Sequence, residues 1–245
     1  MAHPAWWLVN GDLDQQGPGS DASTLRALET LAELPSTPRI ADMGCGPGRQ
    51  TLALARATGG HIAALDLLPP FLKRLRTRAE GAGLADRIAL VQSDMARPPF
   101  AASSFDLIWS EGAVYNVGFE AGLARWGELL RPGGLAAVTE LSWIGEPPTE
   151  TLAFWQGHYP EMADVEANCK RAERAGYRVL DHFALPHSDW RAYYDPIEAR
   201  AAKLRPRYAD DPRALAAIGH QDHEIEIFEG SRGSYSYVFY LLRKD

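Results

Sequence analysis

Acidic residues stand at or near the ends of five short apolar segments, where their side chains can bind a polar ligand. They are Asp42 in RIADM, Asp66 in HIAALD, Asp94 in RIALVQSD, Glu111 in FDLIWSE and Glu140 in LAAVTE. A single acid after a strand is also common turn chemistry. Five acids in corresponding positions predict one crevice, whose carboxylates accept hydrogen bonds from hydroxyl and amino groups and attract positive charge.

A glycine run, GCGPG at residues 44–48, lies between the first apolar segment and a stretch with helical spacing. Glycines there permit a tight turn and a close approach of the backbone to a ligand. The start of the following helix offers free N–H groups and a positive dipole to a carboxylate or phosphate. Asp66 comes about 20 residues later, the spacing at which an acid binds ribose hydroxyls in nucleotide sites. The pattern predicts a nucleoside ligand.

Two kinds of nucleoside cofactor fit a glycine run in this place. The dinucleotide pattern G-x-G-x-x-G needs a third glycine at position 49, which is Arg49, so the spacing here is G-x-G-x-G. A pyrophosphate would also lie among carboxylates, whereas S-adenosylmethionine carries a sulfonium and an ammonium. Electrostatics therefore favours the sulfonium cofactor, with a nicotinamide-dependent oxidoreductase as the alternative.

The order of the elements predicts the fold class. Short apolar strands alternate with helical stretches, which is typical of an α/β protein with a doubly wound, mostly parallel sheet that binds ligands at the carboxyl ends of its strands. We predict seven strands in a single domain over residues 1–245. Its parts are an arm and helix (1–35), a cofactor-binding core (36–141), the rest of the sheet (142–187 and 229–245) and a helical cap inserted before the last strand (188–228).

Composition narrows the class of protein. The 245 residues carry a net charge of −7, which disfavours a nucleic-acid partner. Two cysteines cannot form a disulfide framework, and neither a leader nor an apolar run of membrane-spanning length is visible, so we expect a cytoplasmic protein without a membrane contact. His220 and His223 lack further ligands at metal-site spacing, so no metal is expected.

Five segments in this order resemble the successive motifs of a known family. The segments are ADMGCGPGRQT, LD at residues 65–66, SDM at 93–95, SSFDLIWSEGA and LRPGG. They are similar to class I S-adenosylmethionine-dependent methyltransferases of the small-molecule, ubiquinone/sarcosine-methyltransferase-like type, and they cover Arg39 to Glu140. The resemblance implies a Rossmann-like methyltransferase fold, S-adenosyl-L-methionine as cofactor and a small-molecule methyl acceptor.

Carried over by position, the resemblance implies which residues bind the cofactor. Asp66 would bind the ribose hydroxyls, Asp94 the adenine amino group, and Asp42 would order the glycine loop near the cofactor ammonium. The remaining positions would line the methionine moiety, the adenine ring or the floor below the sulfonium: Gly44, Cys45, Gly46, Gly48, Leu67, Met95, Glu111 and Gly112.

Methyl transfer from a sulfonium is an in-line displacement, so the protein mainly positions the reactants and excludes water. A general base is needed only if the acceptor binds protonated. The predicted catalytic candidates are Glu111, Tyr115 and His158; Glu140 and His187 are further candidates for the base.

The segment 188–228, together with the arm up to residue 20, is predicted to form a mobile lid on the acceptor side of the pocket, because long connections are usually functional. Aromatic residues such as Trp190 and Tyr194 would exclude water there, or would form the core of the cap. A homodimer is a further expectation. A protein that binds the cofactor without turnover is the remaining alternative.

Overall fold

The computed structural model describes residues 4–31 and 33–245. Its strands are β1 (Arg39–Met43), β2 (His61–Asp66), β3 (Ile88–Gln92), β4 (Phe105–Ser110), β5 (Leu130–Trp143), β6 (Ala163–Asp164), β7 (Tyr177–Ala184) and β8 (Tyr235–Lys244). Its α-helices are α1 (Pro4–Asn10), α2 (Asp21–Thr30), α3 (Arg49–Ala57), α4 (Pro69–Gly81), α5 (Phe119–Gly127), α6 (Thr149–His158), α7 (Val165–Arg174), α8 (His187–Arg207) and α9 (Pro212–Gly230). Short 3-10 turns cover Ala85–Arg87 and Val114–Asn116.

The strands form one sheet in the order β3-β2-β1-β4-β5-β8-β7, and the two-residue β6 pairs with the end of β5. All neighbours are parallel except β8, which runs antiparallel to both β5 and β7. The doubly wound, mostly parallel sheet predicted from the sequence is confirmed. Because β1 is followed by β2 on one side and flanked by β4 on the other, the strand order reverses between β1 and β4, which is where such sheets bind ligands.

Helices cover both faces of the sheet, so the parallel strands are buried on both sides. One apolar cluster holds Ile40 of β1 with Leu52 of α3 and Leu75 of α4. The neighbouring residue in β1, Ala41, belongs to a second cluster on the opposite face with Trp126 of α5. This alternation leaves only the strand ends and their loops to face a ligand.

The fifth strand is longer than the sequence pattern predicts. The pattern places a turn at RPGG and a strand end at Glu140, whereas β5 runs without a break from Leu130 to Trp143. Its pairing with β8 extends from Leu135 to Trp143, and this antiparallel partner carries the strand beyond the carboxyl ends of its parallel neighbours. Glu140 therefore lies inside a strand rather than in a loop.

The cap consists of α8 and α9, which lie between β7 and β8 as the sequence predicts. Trp190 and Tyr194 are 2% and 0% exposed and pack in a third apolar cluster with Phe228 and Tyr235. These aromatic residues form the core of the cap. Asp189, at the start of α8, accepts a 2.5 Å hydrogen bond from Ser23 of α2, so the cap is joined to the N-terminal part of the chain.

No helix in the described part of the chain is long and apolar enough to cross a membrane.

Candidate active site

A cavity of about 730 Å³ opens at the carboxyl ends of β1 to β4, where the strand order reverses. This volume lies within the range of small-molecule sites. The loops after the four strands and a segment of the N-terminal arm supply its lining: Gln15, Gln16, Gly17, Pro18, Gly44, Cys45, Gly46, Pro47, Arg49, Gln50, Leu65, Asp66, Leu67, Leu68, Phe71, Ser93, Asp94, Met95, Glu111, Gly112, Ala113, Tyr115, Asn116 and Val117.

The glycine loop turns sharply at the end of β1. The backbone N–H groups of Gly44 and Cys45 both donate to the carbonyl of Leu65, each at 2.9 Å. Gly44 has a φ of 75°, and a Cβ on this residue would lie 2.5 Å from the Cβ of Ala113. Only glycine permits that approach, which keeps the loops after β1 and β4 together. The Cys45 thiol is buried, and burial raises its pKa well above the ordinary value, so it stays protonated at neutral pH.

Two acids and an exposed apolar side chain lie side by side in the cavity. Asp66 accepts from the N–H of Gly46 and the N–H of Leu68, both at 2.8 Å, and thereby ties the glycine loop to the end of β2. Burial raises the pKa of Asp66, and these backbone hydrogen bonds oppose the rise. Leu67 is 58% exposed, which offers an apolar surface for a flat ring. Asp94 accepts from the N–H of Ala96 at 2.8 Å.

An ion pair forms the floor of the cavity at the start of α3. The guanidinium of Arg49 contacts Oε2 of Glu111, and these side chains are 11% and 4% exposed. Oε1 of Glu111 accepts from Thr24 Oγ1 at 2.7 Å and from Trp109 Nε1 at 2.8 Å. A carboxylate held by three donors on both oxygens is a poor candidate for a general base, so its role is to position the loop.

The prediction that five acids edge one crevice is wrong for two of them. Asp42 is fully buried and does not line the cavity; it accepts from Thr51 at 2.6 Å and from Gln50 at 3.3 Å. Gln50 also donates to the Cys45 carbonyl, so Asp42 orders the glycine loop through Gln50. Glu140 is likewise fully buried and outside the cavity lining, because β5 continues past it.

Gly48 also lies outside the cavity lining, contrary to the prediction. Its φ is 86°, and a Cβ there would lie 2.2 Å from Cδ1 of Leu75. The residue therefore serves the close packing of α4 against the glycine loop.

His158 does not reach the site. It is exposed at the end of α6, its Nδ1 lies 2.7 Å from the Phe154 carbonyl, and its ring stacks on Phe154 with the centroids 4.2 Å apart. His187 is also exposed and pairs with Glu229. Of the three predicted catalytic candidates, Tyr115 and Glu111 line the cavity. Across the described residues, no group of three or more potential metal ligands is present.

The arm contributes residues that the sequence motifs did not single out. Arg78 donates to the carbonyls of Asp14 and Pro47, each at 3.0 Å, and Arg74 donates to the carbonyl of Leu13 at 3.0 Å. These bonds hold the arm over the glycine loop. Gln16 donates to the Asn10 carbonyl at 2.9 Å, and its Oε1 is buried without a hydrogen-bond partner among the described residues.

Comparison with known proteins agrees with this geometry. The profile of a family described as "Methyltransferase domain" matches residues 40–134. The malonyl-[acyl-carrier protein] O-methyltransferase of Salmonella typhimurium is 33% identical over 220 residues, which are 84% of this chain and 76% of that protein. The methyltransferase GfsG of Streptomyces halstedii is 27% identical over 57% of this chain and 50% of that protein, so the chain spans about half the length of some relatives that it matches.

A solved structure shows the same fold. The S-adenosylmethionine-dependent methyltransferase from Geobacter sulfurreducens, in complex with S-adenosyl-L-homocysteine, superposes with a TM-score of 0.85 at 19% identity, over 99% of this chain and 98% of that one. The chain belongs to the class I S-adenosylmethionine-dependent methyltransferase family. The family, the fold and, with them, S-adenosylmethionine as the cofactor are thus confirmed.

Proposed function

We propose that this chain transfers the methyl group of S-adenosylmethionine to a small-molecule acceptor. The observation that carries the proposal is the single cavity in which the glycine loop, Asp66 and Asp94 meet Tyr115 and Asn116. The first three suit a nucleoside, and the last two belong to a loop above β4 where a second ligand has room. One cavity thus offers residues suited to both substrates of a methyl transfer.

The ligand's parts are assigned by the chemistry of the lining residues. Asp66 accepts from the ribose hydroxyls, and Asp94 accepts from the adenine amino group through its second oxygen. Leu67 and Met95 pack on the adenine ring. The glycine loop, with Gly44 and Gly46, and the backbone of Glu111–Gly112 surround the methionine part and the sulfonium. These roles are supported by position in the cavity.

Charge favours this cofactor over a dinucleotide. Arg49 is the one basic residue among the described residues that line the cavity, and its charge is matched by the ion pair with Glu111. Asp66 and Asp94 then leave the site with an excess of negative charge, which repels a pyrophosphate and attracts a sulfonium and an ammonium. This balance argues against the oxidoreductase alternative.

The protein promotes methyl transfer in this site mainly by positioning the two substrates. A sulfonium is an activated leaving group, so the acceptor atom, the methyl carbon and the sulfur need only be aligned and kept from water. The arm, held across the glycine loop by Arg74 and Arg78, covers the methionine end of the cavity. Tyr115 and Asn116 then bound the space that the acceptor occupies.

A methyl-transfer assay tests the proposal against the alternative of a protein that binds without turnover. The chain is incubated with methyl-labelled S-adenosylmethionine and a metabolite extract, and the products are divided by ultrafiltration. We expect label in the small-molecule fraction, and its loss in Asp66→Ala. Label confined to protein or nucleic acid, or bound cofactor without any S-adenosylhomocysteine formed, would contradict the proposal. The cytoplasmic location and the homodimer stay predictions.

A further inference from the structure

A second, smaller cavity of about 140 Å³ lies beside the cofactor cavity. Residues from the loops after β3 and β4 and from α5 line it: Met95, Ala96, Asn116, Val117, Ala121, Gly122, Arg125 and Trp126. Three of them, Met95, Asn116 and Val117, also line the cofactor cavity. Since the same side chains border both spaces, the two cavities adjoin at this boundary.

Hydrogen bonds from α5 hold the loop after β3 in place at the small cavity. Nε1 of Trp126 donates to the carbonyl of Met95 at 2.9 Å, and the guanidinium of Arg125 donates to the carbonyl of Ala96. The Trp126 side chain is fully buried, so this connection belongs to the core of the protein. The small cavity is therefore built into the fold between α5 and the loop after β3.

Asp94 connects the small cavity to the adenine end of the cofactor site. Its Oδ1 accepts from the N–H of Ala96, a lining residue of the small cavity, at 2.8 Å. Its other oxygen, Oδ2, is the one that the proposed function assigns to the adenine amino group. Because the two oxygens of one carboxylate are neighbours, an amino group that donates to Oδ2 lies next to the boundary between the cavities.

The adenine amino group has room for a substituent in this position. The group carries two hydrogens, and its hydrogen bond to Asp94 uses one of them. The adenine ring of S-adenosylmethionine ends at this nitrogen, so the cofactor itself has no atom to place in the small cavity. A group that replaces the second hydrogen extends toward that space.

The lining of the small cavity suits an apolar group of the size of one aromatic ring. Met95, Val117, Ala121 and Trp126 supply apolar surface, and Arg125 is the one charged residue among the described residues of this lining. An apolar cavity of about 150 Å³ holds one benzene molecule. A guanidinium attracts the face of an aromatic ring, and a methionine sulfur packs well against such a ring.

We infer that the small cavity is a subsite for an apolar group carried on the adenine amino nitrogen, so that this chain binds S-adenosyl cofactors with a benzyl group there. This inference rests on the proposed function, which gives the position of the adenine ring. The remaining N–H of the amino group donates to Asp94. Met95 lies at the boundary, and its unbranched, flexible side chain adjusts to let the group pass.

Calorimetric titration with two ligands tests the inference. The first ligand is S-adenosylhomocysteine, and the second is its analogue with a benzyl group on the adenine amino nitrogen. We expect the two dissociation constants of the parent protein to differ by less than about tenfold, because the buried ring compensates for the lost N–H. A benzyl analogue that binds more than about tenfold more weakly than S-adenosylhomocysteine would overturn the inference.

A variant that fills the small cavity shows where the benzyl group binds. Ala121 lines the small cavity and not the cofactor cavity, so Ala121→Leu reduces the one space and leaves the other. We expect at least about a tenfold loss of affinity for the benzyl analogue, since extra methylenes in an occupied space force strain. Affinity for S-adenosylhomocysteine should be unchanged, which also shows that the variant is folded.

Ala124→Leu is the matched control, because Ala124 is an exposed residue of the same helix outside both linings. It should bind both ligands as the parent protein does. Equal affinity for the benzyl analogue in Ala121→Leu and in the parent would overturn the inference, while binding of S-adenosylhomocysteine leaves the methyltransferase standing. A parent protein that binds neither ligand would overturn the proposed function itself.

Discussion

The guanidinium of Arg49 and the carboxylate of Glu111 form a nearly buried ion pair that joins the start of α3 to the end of β4 beneath the cofactor cavity. The pair is tied to α2 through Thr24, which donates to Glu111 at 2.7 Å and accepts from Arg49 at 3.2 Å. Two loops that must bind one ligand are thereby fixed to each other and to the N-terminal part of the chain.

Glu111→Gln should destabilise the protein by about 3–5 kcal/mol, because it leaves the Arg49 charge buried without its partner. Urea unfolding measures the loss. Glu120→Gln is the control, since Glu120 and Arg174 form a pair with side chains 41% and 57% exposed, and such pairs contribute less than about 1 kcal/mol. Equal small effects in both variants would show that the Arg49 pair does not support the fold.

Asp66→Asn should weaken the binding of S-adenosylhomocysteine at least about tenfold. Hydrogen bonds from the ribose hydroxyls to a charged carboxylate contribute about 1.5–3 kcal/mol, and the amide retains one acceptor oxygen for the glycine loop. Isothermal titration calorimetry gives the two dissociation constants. Asp86→Asn, on the exposed turn before β3, should bind as the parent does. Unchanged affinity in a folded Asp66→Asn variant would refute the ribose assignment.

Gln16 provides a test of how the amino-acid end of the cofactor is held. Its buried Oε1 lacks a partner among the described residues, and its Cγ lies 3.9 Å from where a Cβ on Gly46 would be. We expect this oxygen to accept from the cofactor ammonium. Gln16→Ala should then lose about tenfold in affinity for S-adenosylhomocysteine and nothing for methylthioadenosine, which lacks the amino-acid part. Equal losses for both ligands would mean that Gln16 only shapes the arm.

The free energy of unfolding should depend on pH through the titration of Asp42. Burial raises its pKa from 3.8 to about 7, against the hydrogen bonds from Thr51 and Gln50. Below about pH 4 both folded and unfolded states are protonated. Between about pH 4 and 7 the unfolded chain releases this proton first, so the free energy of unfolding falls as pH rises, by up to about 4 kcal/mol.

Asp42→Asn removes that titration, so its free energy of unfolding should fall less between pH 4 and 7 than that of the parent. Urea unfolding across the range gives both slopes, and Asp86→Asn again serves as the control. Parallel curves for the parent and Asp42→Asn would show that Asp42 is not destabilised as an anion.

Gly48 and Gly83 both have left-handed backbone, with φ of 86° and 67°, but their surroundings differ. A Cβ at Gly48 would meet Leu75 at 2.2 Å, whereas at Gly83 nothing lies within 4 Å. Gly83→Ala should cost about 1 kcal/mol for its backbone alone. Gly48→Ala adds a clash in a packed core and should cost about 2–4 kcal/mol. Thermal unfolding measures the loss of stability in each variant. Equal losses would mean that α4 shifts to make room for the added methyl group without a loss of stability.

Much of this architecture follows from local sequence patterns. The alternation of strands and helices, the glycine run and the acids at the ends of β2 and β3 are encoded within a few residues of one another, so they predict the sheet and the cavity edge. The Arg49–Glu111 pair is not local. Its members are 62 residues apart, and the motif pattern marks position 49 only as a missing glycine.

The predictions that the structure corrects also depend on contacts between residues that are distant in the sequence. The apolar segment LAAVTE ends at Glu140 and so predicts a strand end there, yet pairing with β8 extends β5 to Trp143 and buries the acid. His158 has the chemistry of a base, but α6 directs it onto Phe154 rather than to the cavity. No sequence pattern marks Gln16 as a site residue. It lies in an irregular arm, and only the hydrogen bonds from Arg74 and Arg78 to this arm bring it to the cavity.

Calorimetric titration of the chain with S-adenosylhomocysteine and, separately, with NAD shows which nucleoside cofactor the cavity binds. We expect saturable binding of one S-adenosylhomocysteine per chain, weakened at least about tenfold by Asp66→Asn, and no saturable binding of NAD. Saturable binding of NAD without binding of S-adenosylhomocysteine would contradict it.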